Sequence, residues 1–145
     1  MIKITSVADA LAKADALKAL GKTTIHFFQS DEVPDFPIDK VHAIEKGSSY
    51  RLGAPIGVWL VYDKDGLTFK LDFEFETRET NGTNTLAFGD RIQQLMQKLS
   101  PIGRESLANH IKEVLLPPME KRRDEAERYY ATQVNLVASL KGILA

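Results

Sequence analysis

The stretch Lys46-Gly-Ser-Ser-Tyr-Arg-Leu-Gly53 gathers small residues, two hydroxyls and two cations just ahead of an apolar run. These are the residue types of an anion cradle, where converging backbone N–H groups and cations hold a phosphate or carboxylate. Lys46, Ser48, Ser49 and Arg51 would be the ligands, with Tyr50 available to stack on a base. The context favours a loop or bulged hairpin. A phosphate loop opens a helix, whereas Pro55 and the run Val58–Val61 announce a strand, and neither a Walker nor a dinucleotide-binding pattern is present. A pocket for an anionic metabolite or nucleotide would draw its remaining cations from Arg122, Arg123 and Arg128, within one chain or across a subunit boundary.

Asp72, Glu74 and Glu76 place carboxylates two residues apart on one side of a strand. That spacing is roughly 6.6–6.8 Å, near the separation used in glycoside hydrolysis. A catalytic pair needs two different environments, one of them raising a carboxyl pKa by burial. Three acids in a row on a solvated face supply no such difference, so a solubilising face is expected. Asp63-Lys-Asp-Gly66 resembles the start of a calcium loop but lacks the third acidic position and the distal glutamate; it is a turn. His26, His42 and His110 share no metal-ligand spacing, and no serine lies in a nucleophile-elbow motif. No catalytic residue, metal site or cofactor is assigned. An enzyme whose site assembles in space, around His26 or His42, is a third reading, with no motif behind it.

The elements that would position these residues follow from periodicity. Ser6 is a helix N-cap with Asp9 three residues on, and Val7, Ala10, Leu11, Ala14 and Leu17 share a helical face ending before Gly21. A helix is expected over 6–20, with Met1–Thr5 as a short strand ahead of it. Lys22–Gln29 reads as a strand, with His26 either facing with Thr24 and Phe28 or at the sheet edge. Pro34 and Pro37 make Ser30–Pro37 a loop, and Val41–Glu45 is a further short strand. Val58–Tyr62 and Leu67–Thr77 form a hairpin across Asp63–Gly66. Leu67, Phe69, Leu71, Phe73 and Phe75 alternate with polar residues, so one face is in the core and one in water.

After the polar loop Thr80–Asn84 the pattern turns helical. Phe88, Ile92, Leu95, Met96 and Leu99 share one spacing, and Ser100-Pro101 starts a second helix that runs to a break at Pro117-Pro118. A third runs from about Pro118 toward Gly142. The whole is an α+β fold: an antiparallel sheet with an N-terminal helix and a C-terminal helical segment packed on one face. It forms a single domain over 1–145, mainly strands over 1–79 apart from the first helix, and three helices over 85–144.

The last helix carries the strongest signal for contacts. Its first half mixes charges from Glu120 to Arg128, and its second half carries Tyr129, Tyr130, Val134, Leu136, Val137, Leu140, Ile143 and Leu144. These cover more than one face, and one face suffices to dock on the sheet or on the preceding helix. Either the helix wedges into its own domain or Tyr129, Tyr130, Leu136, Leu140 and Ile143 form an interface with a second copy.

Composition bounds the rest. The chain has 145 residues, 43% apolar and 27% charged, with a net charge of −1, so no global field draws it to nucleic acid or an acidic membrane. Lys121-Arg122-Arg123 is followed by acids and is a weak phosphate footprint. Cysteine is absent, which removes disulfides and thiolate chemistry. With no secretory pattern at Met1–Leu20 and no apolar stretch of about 18 residues, a cytoplasmic location without membrane contact is expected. The function expected is that of a non-catalytic binding protein, an adaptor, inhibitor or assembly factor, acting by contact with another protein or with itself. A small-ligand binder is the alternative.

Overall fold

The computed structural model describes residues 3–28, 33–48, 50–51, 54–75 and 85–144. Two short helices, α1 (Val7–Ala12) and α2 (Ala14–Ala19), lead into strand β1 (Thr24–Phe27). A single 3-10 turn (Ile38–Lys40) precedes β2 (Ala43–Lys46), and a small ladder of β3 (Tyr50–Arg51) with β4 (Ala54–Pro55) follows. The long strands β5 (Gly57–Lys64) and β6 (Leu67–Glu74) come next, then helices α3 (Thr85–Lys98), α4 (Pro101–His110) and α5 (Leu116–Leu144). Lys3–Thr5, expected as part of a strand, has no regular structure. Glu76 and Thr77, at the expected end of the second hairpin strand, lie outside the described residues.

The N-terminal helix is capped from two directions. Ser6 Oγ accepts the Asp9 N–H at 3.0 Å, while the Asp35 carboxylate accepts the Val7 and Ala8 N–H groups at 3.2 and 2.9 Å. Asp35 belongs to the two-proline loop, so that loop closes the helix end and complements its dipole. The same loop contributes Val33 and Phe36 to the core.

The four-stranded sheet has the order β1-β6-β5-β2. β5 and β6 form the expected hairpin, with Trp59 opposite Asp72 and Leu60 opposite Leu71. Asp65 and Gly66 both have positive φ, at 53° and 78°, the backbone that a tight hairpin turn requires. β2 joins β5 antiparallel, but β1 joins β6 parallel. The sheet is therefore mixed rather than wholly antiparallel. The helical segment before β1 and the long connection after it bring the chain in along β6 in β6's own direction.

One face of this sheet meets the helices. Phe69, Leu71, Phe75, Val58 and Leu60 join Val7, Ala10 and Leu17 from the first helices and Leu95, Leu99 and Leu107 from the later ones in one core cluster. α4 is fastened to the β2 edge. Ser106 Oγ accepts the Ile44 N–H at 2.8 Å, satisfying a donor that an edge strand leaves unpaired. At Gly103 a Cβ would lie 2.8 Å from the Val41 carbonyl, so only glycine admits this approach. α3 is tied to the end of β6 by Arg91, whose Nε donates to the Glu74 carbonyl at 3.0 Å and whose guanidinium lies over Phe73.

The Pro117-Pro118 break does not occur. α4 passes into α5 through a π-helical turn at Ile111–Leu115, and Leu116 keeps right-handed helical dihedrals. Prolines at 117 and 118 cannot donate to carbonyls four residues back and would clash with them. The wider π turn lies over those carbonyls, at Glu113 and Val114, and lets the helix continue.

Candidate functional site

Three surfaces compete for a role: the glycine-rich stretch, the open sheet face and α5. In the first, Gly47 and the nearby Gly57 serve backbone packing. A Cβ on Gly47 would stand 2.5 Å from the Gly57 carbonyl, and one on Gly57 would stand 2.8 Å from the Phe73 carbonyl. The Gly47 N–H donates to the Gly57 carbonyl at 3.2 Å, so it is not turned toward a ligand. Lys46 and Ser48 are exposed at the end of β2. Ser49 lies outside the described residues, as do Leu52 and Gly53, and the side chains of Tyr50 and Arg51 are not described.

Arg122, Arg123 and Arg128 stand on α5, all exposed. A hollow of about 440 Å³ runs beside this helix, lined by Pro117, Glu120, Lys121, Asp124, Glu125 and Arg128. Three acids face two bases there, so its field does not select an anion. Arg123 is engaged with Asp124 at 3.3 Å.

The face of the sheet away from the helices carries more chemistry than its sequence suggested. Phe28 leaves β1 68% exposed. Its ring and that of His26 meet Trp59 edge-on, with centroids 5.6 and 5.2 Å apart. β6 runs between β1 and β5, so these rings close over it, above Asp72, the register partner of Trp59. Burial raises the Asp72 carboxyl pKa, and the Glu74 charge adds to the rise. One row along, Lys70 and Glu45 form an ion pair at 2.6 Å, and at the hairpin end His42 Nε2 meets the Asp63 carboxylate at 2.8 Å. The rings pack at ordinary aromatic contact distances. His26 does share a face with Thr24 and Phe28, and it does so on an edge strand. Trp59 was the missed member. Its signal was phase: Val58, Leu60 and Tyr62 take the core side, which sends Trp59 to the side of the acids.

His110 is buried, and its Nε2 is the buried side-chain atom without a partner among the described residues. Burial lowers its pKa, which favours the neutral imidazole. It stands at the C-terminal end of α4, where the π turn begins. Among the described residues no three His, Cys, Asp or Glu side chains gather as metal ligands.

α5 is exposed along most of its length. It has 29 residues, a rod of about 43 Å, and every residue from Glu125 to Leu144 is exposed. Tyr129 and Tyr130 are 68% and 71% exposed, Leu136 52%, Leu140 61% and Ile143 80%. The helix does not wedge into its own domain. No helix is long and apolar enough to cross a membrane among the described residues. Compared with family models, curated proteins and solved structures, the chain finds no match.

Proposed function

We propose that this protein is a non-catalytic assembly or adaptor protein that works through protein–protein contacts as a homo-oligomer joined by α5. The exposure of Tyr129, Leu136, Leu140 and Ile143 along one helix supports this reading. A helix of this length has no packing reason to stay helical alone in water, because most helical stability in proteins comes from burying an apolar face. Large contiguous apolar patches on soluble domains mark contact sites. Among the described residues the core cluster draws nothing from 129–144, which supports a role for this segment outside the domain.

Introducing Leu136→Glu together with Leu140→Glu tests this. The full chain carrying both is expected to run as a monomer in size exclusion with light scattering, where the unmodified chain runs as an oligomer. Its melting temperature is expected to change only through lost self-association, because neither side chain touches the core. An oligomer that survives both changes would refute α5 as the joint.

A further inference from the structure

The spacing along α5 selects how two copies meet. Met119, Ala126, Gln133 and Leu140 recur every seven residues, and Tyr129, Leu136 and Ile143 follow three places after the last three of them. This is the a/d pattern of a coiled-coil seam. Tyr130, Val137 and Leu144 border it on one side, at 71%, 50% and 87% exposure. The residue three places after Met119 is Arg122, so the seam becomes charged toward the domain.

We propose that α5 pairs with α5 of a second copy in antiparallel register over residues 126–143, an inference that rests on the self-association reading above. In this register Ala126 faces Ile143 of the second copy, Tyr129 faces its Leu140 and Gln133 faces its Leu136. Small faces large at the ends, and apolar faces apolar through most of the seam. Tyr130 flanks Val137 of the second copy and widens the apolar surface.

Charge and size both select this over a parallel pair. From Tyr129 to Leu144 the one charged residue is Lys141, while Glu120–Arg128 is almost wholly charged. Parallel pairing in register sets Arg122 against Arg122 in the seam and lays one charged segment along the other. The antiparallel overlap keeps 119–125 of each copy outside it. The part of the chain before α5 is roughly 30–35 Å across, from the radius of gyration of about 115 residues, whereas packed helices lie about 8–10 Å apart. Parallel pairing crowds two such bodies at one end; antiparallel pairing sets them at opposite ends of the rod.

The absence of cysteine makes the test direct. Chains carrying Tyr129→Cys and chains carrying Leu140→Cys, with different tags, are refolded together and oxidised. The antiparallel pair brings the thiol introduced at position 129 of one copy into disulfide reach of the thiol introduced at position 140 of the other. It holds two Leu140 positions about 16 Å apart along the axis, beyond such reach. The expected product is the mixed disulfide, with Leu140→Cys alone remaining largely unlinked. Efficient linking of Leu140→Cys to itself overturns the antiparallel register and leaves self-association standing. An oligomer that forms neither disulfide overturns α5 as the seam. A monomeric unmodified chain in sedimentation overturns the self-association reading as well.

Discussion

Asp72 is held under Trp59 in a place that disfavours its charge. Burial is the larger cause and Glu74 the smaller. A carboxyl whose folded pKa stands above its unfolded value destabilises the fold once it is ionised, and the penalty disappears when both states are protonated. Asp72→Asn is therefore expected to raise the melting temperature at pH 7. The rise should be under about 4 °C, as less than ~1 kcal/mol gives in a domain of this size, because the carboxylate keeps partial contact with water. The gain should shrink as pH falls toward the ordinary carboxylate value of 3.8. Paired thermal scans at about pH 7 and about pH 3.5, either side of that ionisation, check this, and an equal gain at both would contradict it. Single residues were unevenly legible. The Ser6 cap and the Asp63–Gly66 turn were plain, since each depends on neighbours within a few positions. The glycines at 47 and 57 were not, because the carbonyls that require them, of Gly57 and Phe73, come from other strands.

At the scale of elements, docking of α4 on β2 rests on Ser100, Gly103 and Ser106, which meet the 41–44 backbone. Ser100 Oγ accepts the Gly103 N–H at 3.3 Å and lies 3.5 Å from the Val41 carbonyl. Gly103→Ala sets two effects against each other. Alanine favours the helix by about 1 kcal/mol, while overpacking costs roughly 1–3 kcal/mol. The nearest atom is a backbone carbonyl at 2.8 Å, which cannot swing aside, so the steric cost wins. A net loss of about 1 kcal/mol in urea denaturation is expected, and a more stable variant would contradict this docking. Periodicity exposed the β5–β6 hairpin and the helices because alternation and helical spacing are local. It did not show that β1 pairs parallel, which depends on a long connection. Nor did it show that the helix runs through Pro117-Pro118, where a π turn replaces the expected break.

At the scale of the whole molecule, the described residues form a mixed four-stranded sheet with helices on one face, a small β3–β4 ladder and the exposed helix α5. The sequence placed Tyr129, Leu136, Leu140 and Ile143 on that helix but left open whether they pack inward. Among the described residues the core cluster comes from positions before Leu116, and α5 contributes no buried residue to it; the helix is exposed rather than packed inward. The open face with His26, Phe28 and Trp59 stays clear of the helices, so an assembly through α5 would present two such faces, one at each end. Sedimentation equilibrium of the unmodified full chain over a range of concentrations tests the central claim most directly. The account predicts a dimer mass, about twice the 16.2 kDa of one chain, that dissociates on dilution. A single species of one chain's mass at every concentration would contradict it.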